Sequence, residues 1–99
     1  MRNLDLNYEG FENYLFSKEY DMGGVLYRFK FNNNFGASVI KHDYSYGQEE
    51  DLWELGVLMF GDGYLERGVL TYDTPITNDI IPWLTDEEVR NLLERIKGL

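Results

Sequence analysis

The chain contains no cysteine. A disulfide framework and a thiolate zinc site are both excluded by that absence, which also fits a reducing compartment such as the cytoplasm. Proline is scarce: only Pro75 and Pro82 occur, and no Pro/Gly/Ser-rich linker divides the chain. His42 is the single histidine. No apolar run approaches the roughly 18 residues that a membrane span requires, and Met1 to Tyr8 lacks the charged-then-apolar layout of a secretion signal. Positive charge is in short supply as well, with nine Lys and Arg against eighteen Asp and Glu, a net charge of −9. Direct binding of nucleic acid needs clustered Lys and Arg against phosphate, so it is not expected. Together these absences point to a cytoplasmic protein with no membrane segment.

Apolar and aromatic side chains are present in quantity. The sequence is 43% hydrophobic and 16% aromatic. Disordered acidic chains lack such surface, so the 99 residues read as one folded α+β domain, residues 1–99, with a negative exterior. A negative exterior keeps a small protein dispersed. It also suits a partner with a basic surface.

The clearest strand is Val25 to Phe31. Val25, Tyr27, Phe29 and Phe31 alternate with Leu26, Arg28 and Lys30, the period of a half-buried strand. Asn32-Asn33-Asn34 supplies turn residues that tolerate the left-handed conformation, and Phe35 to Lys41 returns as the second strand of a hairpin. His42 to Asp51 is a polar loop. Leu52 to Phe60 is a third strand, with Trp53, Leu55, Val57 and Met59 on one face. Gly61-Asp62-Gly63 marks a turn, and Tyr64 to Tyr72 reads as a fourth strand. Residues 1–24 are ambiguous: Leu4, Leu6 and Tyr8 alternate as in a strand, whereas Phe11, Tyr14, Leu15 and Lys18 fit a short helix capped by Asn7. Asp73 to Trp83 reads as irregular, with Pro75 and Pro82 unable to donate to a central ladder.

The C-terminal helix has the strongest local signals. Thr85-Asp86-Glu87-Glu88 is a capping box, with Leu84 placed to staple onto Val89. Three acids meet the positive end of the helix dipole, and Arg95 and Lys97 lie at the other end. Val89, Leu92, Leu93 and Ile96 form one apolar stripe. The expected fold is therefore a four-stranded antiparallel sheet with this helix on one face, against Val25, Phe29, Trp53 and Val57, and a short N-terminal helix.

No motif names a reaction. There is no cysteine nucleophile, and Ser17, Ser38 and Ser45 lack an elbow motif. His42 beside Asp43 makes a poor dyad, because neighbours on a strand point to opposite faces. Consecutive acids such as Glu49-Glu50-Asp51 rarely share one ion, and the alternating pattern of a calcium loop is absent. No catalytic residue, metal or cofactor is expected, and the chain reads as a non-enzyme. Two surface groups remain. Tyr44, Tyr46, Glu49, Glu50 and Asp51 share the polar loop, and tyrosine beside carboxylate suits an interface with a basic partner. The plainer reading has the tyrosines over the sheet edge and the acids in water. Arg28, Lys30, Lys41 and His42 offer a small anion site, or simply a solvated strand face.

The stretch from Tyr27 to Leu99 resembles short uncharacterised proteins encoded by bacteriophages and prophages. The residues that carry this are Phe35-Gly-Ala-Ser-Val-Ile40, Tyr44-Ser-Tyr-Gly47, Leu52-Trp-Glu-Leu55, Leu70-Thr-Tyr-Asp-Thr-Pro-Ile-Thr77 and Leu84-Thr-Asp-Glu-Glu-Val89. The resemblance implies a phage origin and a small α+β fold, and it carries over no catalytic residue. With the charge, it frames the expected function as a non-enzymatic interaction protein whose acidic surface binds a host protein, such as a nucleic-acid-binding protein, as an inhibitor or decoy. The alternatives are a homo-oligomeric accessory protein and a binder of small anions. If Leu92 is fully buried, Leu92→Ala is expected to cost about 2–5 kcal/mol in a denaturation experiment.

Overall fold

A computed structural model describes residues 2–99. Among them, six strands and one α-helix follow in the order β1 (Leu15–Asp21), β2 (Gly24–Lys30), β3 (Phe35–Lys41), β4 (Trp53–Met59), β5 (Val69–Leu70), β6 (Ile81–Leu84) and α1 (Asp86–Lys97). The fold is α+β, as the sequence pattern indicates. All pairings are antiparallel and run β1-β2-β3-β4. The outer edge of β4 is shared: β5 takes Leu58 and Met59, and β6 takes Trp53 and Leu55.

The register turns the period-two pattern into a core. Tyr27 lies opposite Val39, which lies opposite Leu55; Phe29, Ala37 and Val57 form the next row. Opposed residues share a face, and all six are at most 1% exposed. Val89, Leu93 and Ile96 of α1 close over this face, and α1 packs on β3, β4 and β6. Complete burial of one large apolar side chain contributes about 1.5–3 kcal/mol, so these rows and the helix stripe dominate stability.

The rest of the same face is covered by residues 2–14. Leu6 and Phe11 are buried there. The Tyr27 hydroxyl donates to the Leu4 carbonyl at 2.8 Å and accepts from the Leu6 N–H at 3.2 Å. The expected N-terminal helix is corrected by this arrangement. One 3-10 turn spans Glu12–Tyr14, and Leu15 begins a strand. Met22 and Gly23 both have positive φ, 50° and 75°, and join β1 to β2 as a two-residue hairpin. That turn type matches the twist of antiparallel strands, so pairing along β2 overrides the helical spacing of Phe11, Tyr14, Leu15 and Lys18.

Two further expectations are corrected. The strand foreseen over Tyr64 to Tyr72 contracts to Val69–Leu70, because Gly63–Leu65 forms a 3-10 turn and Gly68 sits at φ 86°. The segment foreseen as irregular contains β6, which together with β1 takes the sheet from the expected four strands to six. Residues after β4 lap over the second face of the sheet. There Phe16 and Phe60 meet edge to face at 5.2 Å, and Arg67 reaches Glu19 at 3.5 Å.

The helix signals hold in detail. Thr85 accepts from the Glu88 N–H at 3.2 Å, and the Glu88 carboxylate accepts from the Thr85 N–H at 3.0 Å. The Thr85 N–H and hydroxyl hold the Glu88 carboxyl below the usual carboxylate range. At the far end, the Asn33 amide donates to the carbonyls of Ile96, Lys97 and Leu99. No helix among the described residues is long and apolar enough to cross a membrane.

Leu92 is only half-buried, whereas Leu93 is fully buried. Urea denaturation is therefore expected to show a loss of about 2–5 kcal/mol for Leu93→Ala and a clearly smaller one for Leu92→Ala. Equal losses would contradict this packing.

Candidate functional site

Residues 42–52 form the loop between β3 and β4, and the fold holds it from beneath. Lys41 ends β3 on the core face, opposite Val25, and is 2% exposed. Its ammonium lies 4.1 Å from the Trp53 ring centroid. It donates to the Asn3 carbonyl at 2.8 Å and to Asp51 Oδ1 at 3.0 Å. The same Oδ1 accepts the Asn3 N–H at 2.7 Å. A charge this deep is tolerated only with an opposite charge and filled donors. Burial raises the Asp51 pKa, but the Lys41 ammonium and the Asn3 N–H outweigh it and hold the carboxyl below its ordinary 3.8.

The loop carries its own turns. Ser45 is buried, and its N–H and hydroxyl both donate to the His42 carbonyl. Gly47 at φ 98° and Asp51 at φ 61° bracket a 3-10 turn over Gln48–Glu50. The Leu52 N–H returns to the Gly47 carbonyl at 2.9 Å. The Tyr46 N–H donates to the buried Glu54 carboxylate at 3.3 Å. Tyr44 is left 79% exposed and Tyr46 61% exposed. Glu49, Glu50 and Asp51 are exposed too, so all five expected contact residues face solvent. Asp51 is partly committed to structure.

Two depressions flank the loop. One, about 380 Å³, is lined by Arg2, Gly23, Asp43, Gln48, Glu49 and Asp51. Arg2 spans it, donating to the Gly23 carbonyl, to Asp43 at 3.0 Å and to the Gln48 side-chain carbonyl. Its guanidinium is thus absorbed by the fold. The other, about 450 Å³, is lined by Tyr46, Asp79, Ile80, Pro82 and Trp83.

Trp83 was not foreseen as a site residue. Leu55 pairs with Ile81 and Trp53 with Leu84, so β6 carries one extra residue over this span. That is a β-bulge, a device that re-aims a side chain. Trp83 takes it up at φ 57°. A bulky residue rarely adopts this conformation, at a cost of about 1–3 kcal/mol. The indole emerges 56% exposed, 6.3 Å from the Tyr46 ring and inclined to it by 46°. Gly47 lies directly beneath: a Cβ there would stand 3.1 Å from the indole Cδ1. The pairing is tertiary, so only an isolated Trp next to Pro82 hinted at it in the sequence.

The basic quartet does not assemble. Arg28 bonds Glu19 at 3.2 Å, Lys30 lies over the Phe60 ring, Lys41 is buried on the opposite face, and His42 Nδ1 accepts the Tyr44 N–H at 3.1 Å. Among the described residues, no three His, Asp or Glu side chains are grouped to hold a metal ion. Comparison with protein-family models, curated proteins and solved structures yields no match.

Two outcomes follow for the loop's anchor. Asp51→Asn keeps a residue that tolerates positive φ but leaves the Lys41 ammonium buried without its counter-charge. In urea denaturation it is expected to cost about 2–4 kcal/mol, and more than Lys41→Met, which leaves behind only a half-exposed carboxylate that water can serve. The pH dependence has a fixed sign. The folded pKa of Asp51 lies below its unfolded value, so the contribution is complete above about pH 5 and fades as pH falls through the folded pKa. Stability measured from pH 6 down to pH 2 is expected to fall less steeply in Asp51→Asn than in the parent.

Proposed function

We propose that this chain is a non-enzymatic interaction protein of phage or prophage origin. In this reading it acts in the bacterial cytoplasm and binds a basic host protein as an inhibitor or decoy. A protein whose basic groove normally holds nucleic acid is the partner class that suits it. The observation that carries the reading is the bulge that turns Trp83 out beside Tyr46. Interface energy concentrates in a few Trp, Tyr and Arg side chains, and backbone strain at a surface aromatic has no role in holding the core together. Asp79 lies beside this pair, and Tyr44, Glu49 and Glu50 are exposed on the same loop as Tyr46, in a chain of net charge −9. Such a rim accelerates encounter with a basic partner and makes binding salt-dependent. The phage origin rests on the sequence resemblance.

The test is capture from a bacterial lysate on the tagged protein, washed at low and at high salt. A basic nucleic-acid-binding protein is expected to stay at low salt and leave at high salt. Trp83→Gly is expected to weaken its binding by about 30-fold, the scale of an aromatic hot spot. The double change Glu49→Gln, Glu50→Gln is expected to slow association and flatten the salt dependence. Absence of any basic partner at low salt overturns the reading. A second copy of this chain as the sole retained protein replaces it with a homo-oligomeric accessory role.

A further inference from the structure

We infer that the groove between Tyr46 and Trp83 is a seat for an arginine side chain on a basic protein segment, with Asp79 as its counter-charge. This rests on the reading above and specifies its chemistry.

The two rings form an inclined wedge, 6.3 Å between centroids and 46° between planes. Aromatic faces carry the negative side of the ring quadrupole and attract cations, Trp most strongly. The third polar contributor is the Asp79 carboxylate, which lines the same groove. Its Oδ1 accepts the Ile80 N–H at 2.8 Å. The backbone around it is fixed by Thr77, whose hydroxyl accepts the Asp79 N–H at 3.0 Å and donates to the Asp79 carbonyl at 2.8 Å. Oδ2 makes no hydrogen bond among the described residues. Ile80 and Pro82 complete the walls, and no Lys or Arg lines the groove. A cation seated there would come from outside.

Charge complementarity selects the occupant. A wholly apolar side chain would leave the exposed Asp79 carboxylate to water and gain nothing from it. An anion would meet Asp79 and two negative ring faces in a chain of charge −9. Arginine suits better than lysine, because a planar guanidinium stacks on an aromatic face while its N–H fork meets a carboxylate. An ammonium is a compact, strongly hydrated point charge and gains less from a ring. The bulge acquires a purpose in these terms: an unbulged β6 would place residue 83 in plain alternation along the strand, and the wedge with Tyr46 would not form.

The experiment is an NMR titration of the whole protein, reading the indole N–H signals of Trp83 and of buried Trp53. The probes are tetra-arginine and tetra-lysine peptides. Tetra-arginine is expected to shift Trp83 and the Asp79 and Ile80 amides in a saturable way, with Trp53 still, and to bind at least 5-fold tighter than tetra-lysine. Asp79→Asn is expected to weaken it at least 5-fold, whereas Glu87→Gln, which removes the same charge from the exposed start of α1, changes it less than 2-fold. Trp83→Gly removes the indole where glycine is at ease at φ 57°, so the protein keeps its fold, checked by an unchanged Trp53 signal, and is expected to lose the Asp79 and Ile80 shifts. A still Trp83 signal overturns the seat. So do equal affinities for the two peptides, or equal losses in Asp79→Asn and Glu87→Gln, which mark diffuse charge. The two readings fail separately. Tetra-arginine bound at Trp83 with no basic protein captured from lysate keeps the seat and removes the host-protein partner. A captured basic partner with a silent Trp83 does the reverse.

Discussion

The buried ammonium of Lys41 is the constraint on which the rest of the structure depends. It ends a strand on the face that the apolar rows occupy, where an unpaired charge would cost several kcal/mol. The fold meets it with the Trp53 ring, the Asn3 carbonyl and the Asp51 carboxylate. Each partner belongs to a different part of the chain. Asn3 brings the N-terminal segment across the sheet. Asp51 closes the loop. Trp53 in turn donates its indole N–H to Asp86 at 2.6 Å, in the first turn of α1. Asp86 also accepts the Asn7 N–H at 3.3 Å, and Arg90 reaches the Asn7 carbonyl at 2.9 Å. One polar line thus runs from the loop, under the sheet's aromatic residues, to the helix.

That line explains how an eleven-residue loop presents side chains in fixed places. Apolar packing alone would secure the sheet and α1 and leave residues 42–52 free to move. The salt bridge holds the end of the loop at Asp51, and Arg2 holds its middle at Asp43 and Gln48. Tyr46 and Gly47 are then positioned against β6, and Trp83 can lie on Gly47 because that residue has no Cβ. Preordering of this kind reduces the entropy lost when a partner binds. The exposed tyrosines belong to a supported surface, although the carboxylate at Asp51 is shared between support and surface.

Legibility in the sequence followed the range of the interactions. The hairpin of β2 and β3 and the helix α1 were readable because their signals are local: alternation at Val25, Tyr27 and Phe29, and a capping box at Thr85 and Glu88. Glu49 and Glu50 were readable as exposed because they sit in a polar loop, whereas the tyrosines fitted either a free surface or the sheet edge. β1 was missed because Phe11, Tyr14, Leu15 and Lys18 satisfy a helical spacing that pairing with β2 defeats. β6 was missed because Pro82 argues against a strand, yet on the edge of β4 proline is tolerated. Lys41 was misassigned to a solvated face. Its parity along β3 matched Val39 and Ala37, and that parity, followed strictly, places it inside. Nothing local announces a buried lysine, since its justification is a carboxylate ten residues later and a backbone carbonyl near the chain's start.

Trp83 is a different kind of miss. Agreement between local preference and global fold is the normal condition of a well-specified sequence, and the departures at β1, Pro82 and Lys41 each serve the sheet or the core. Met22, Asn34 and Asp51 also have positive φ, but each sits in a turn or loop where that conformation has a local use. Trp83 sits within a strand, is the bulkiest residue of the four, and gains exposure from the strain. Were the strain a by-product of packing, the indole would be buried by it. The indole is turned outward and is paired with the one loop aromatic whose backbone is fixed to the buried Glu54. Local rules broken without a gain in the core mark functional positions more often than structural ones, and among the described residues Trp83 is the one aromatic side chain at positive φ.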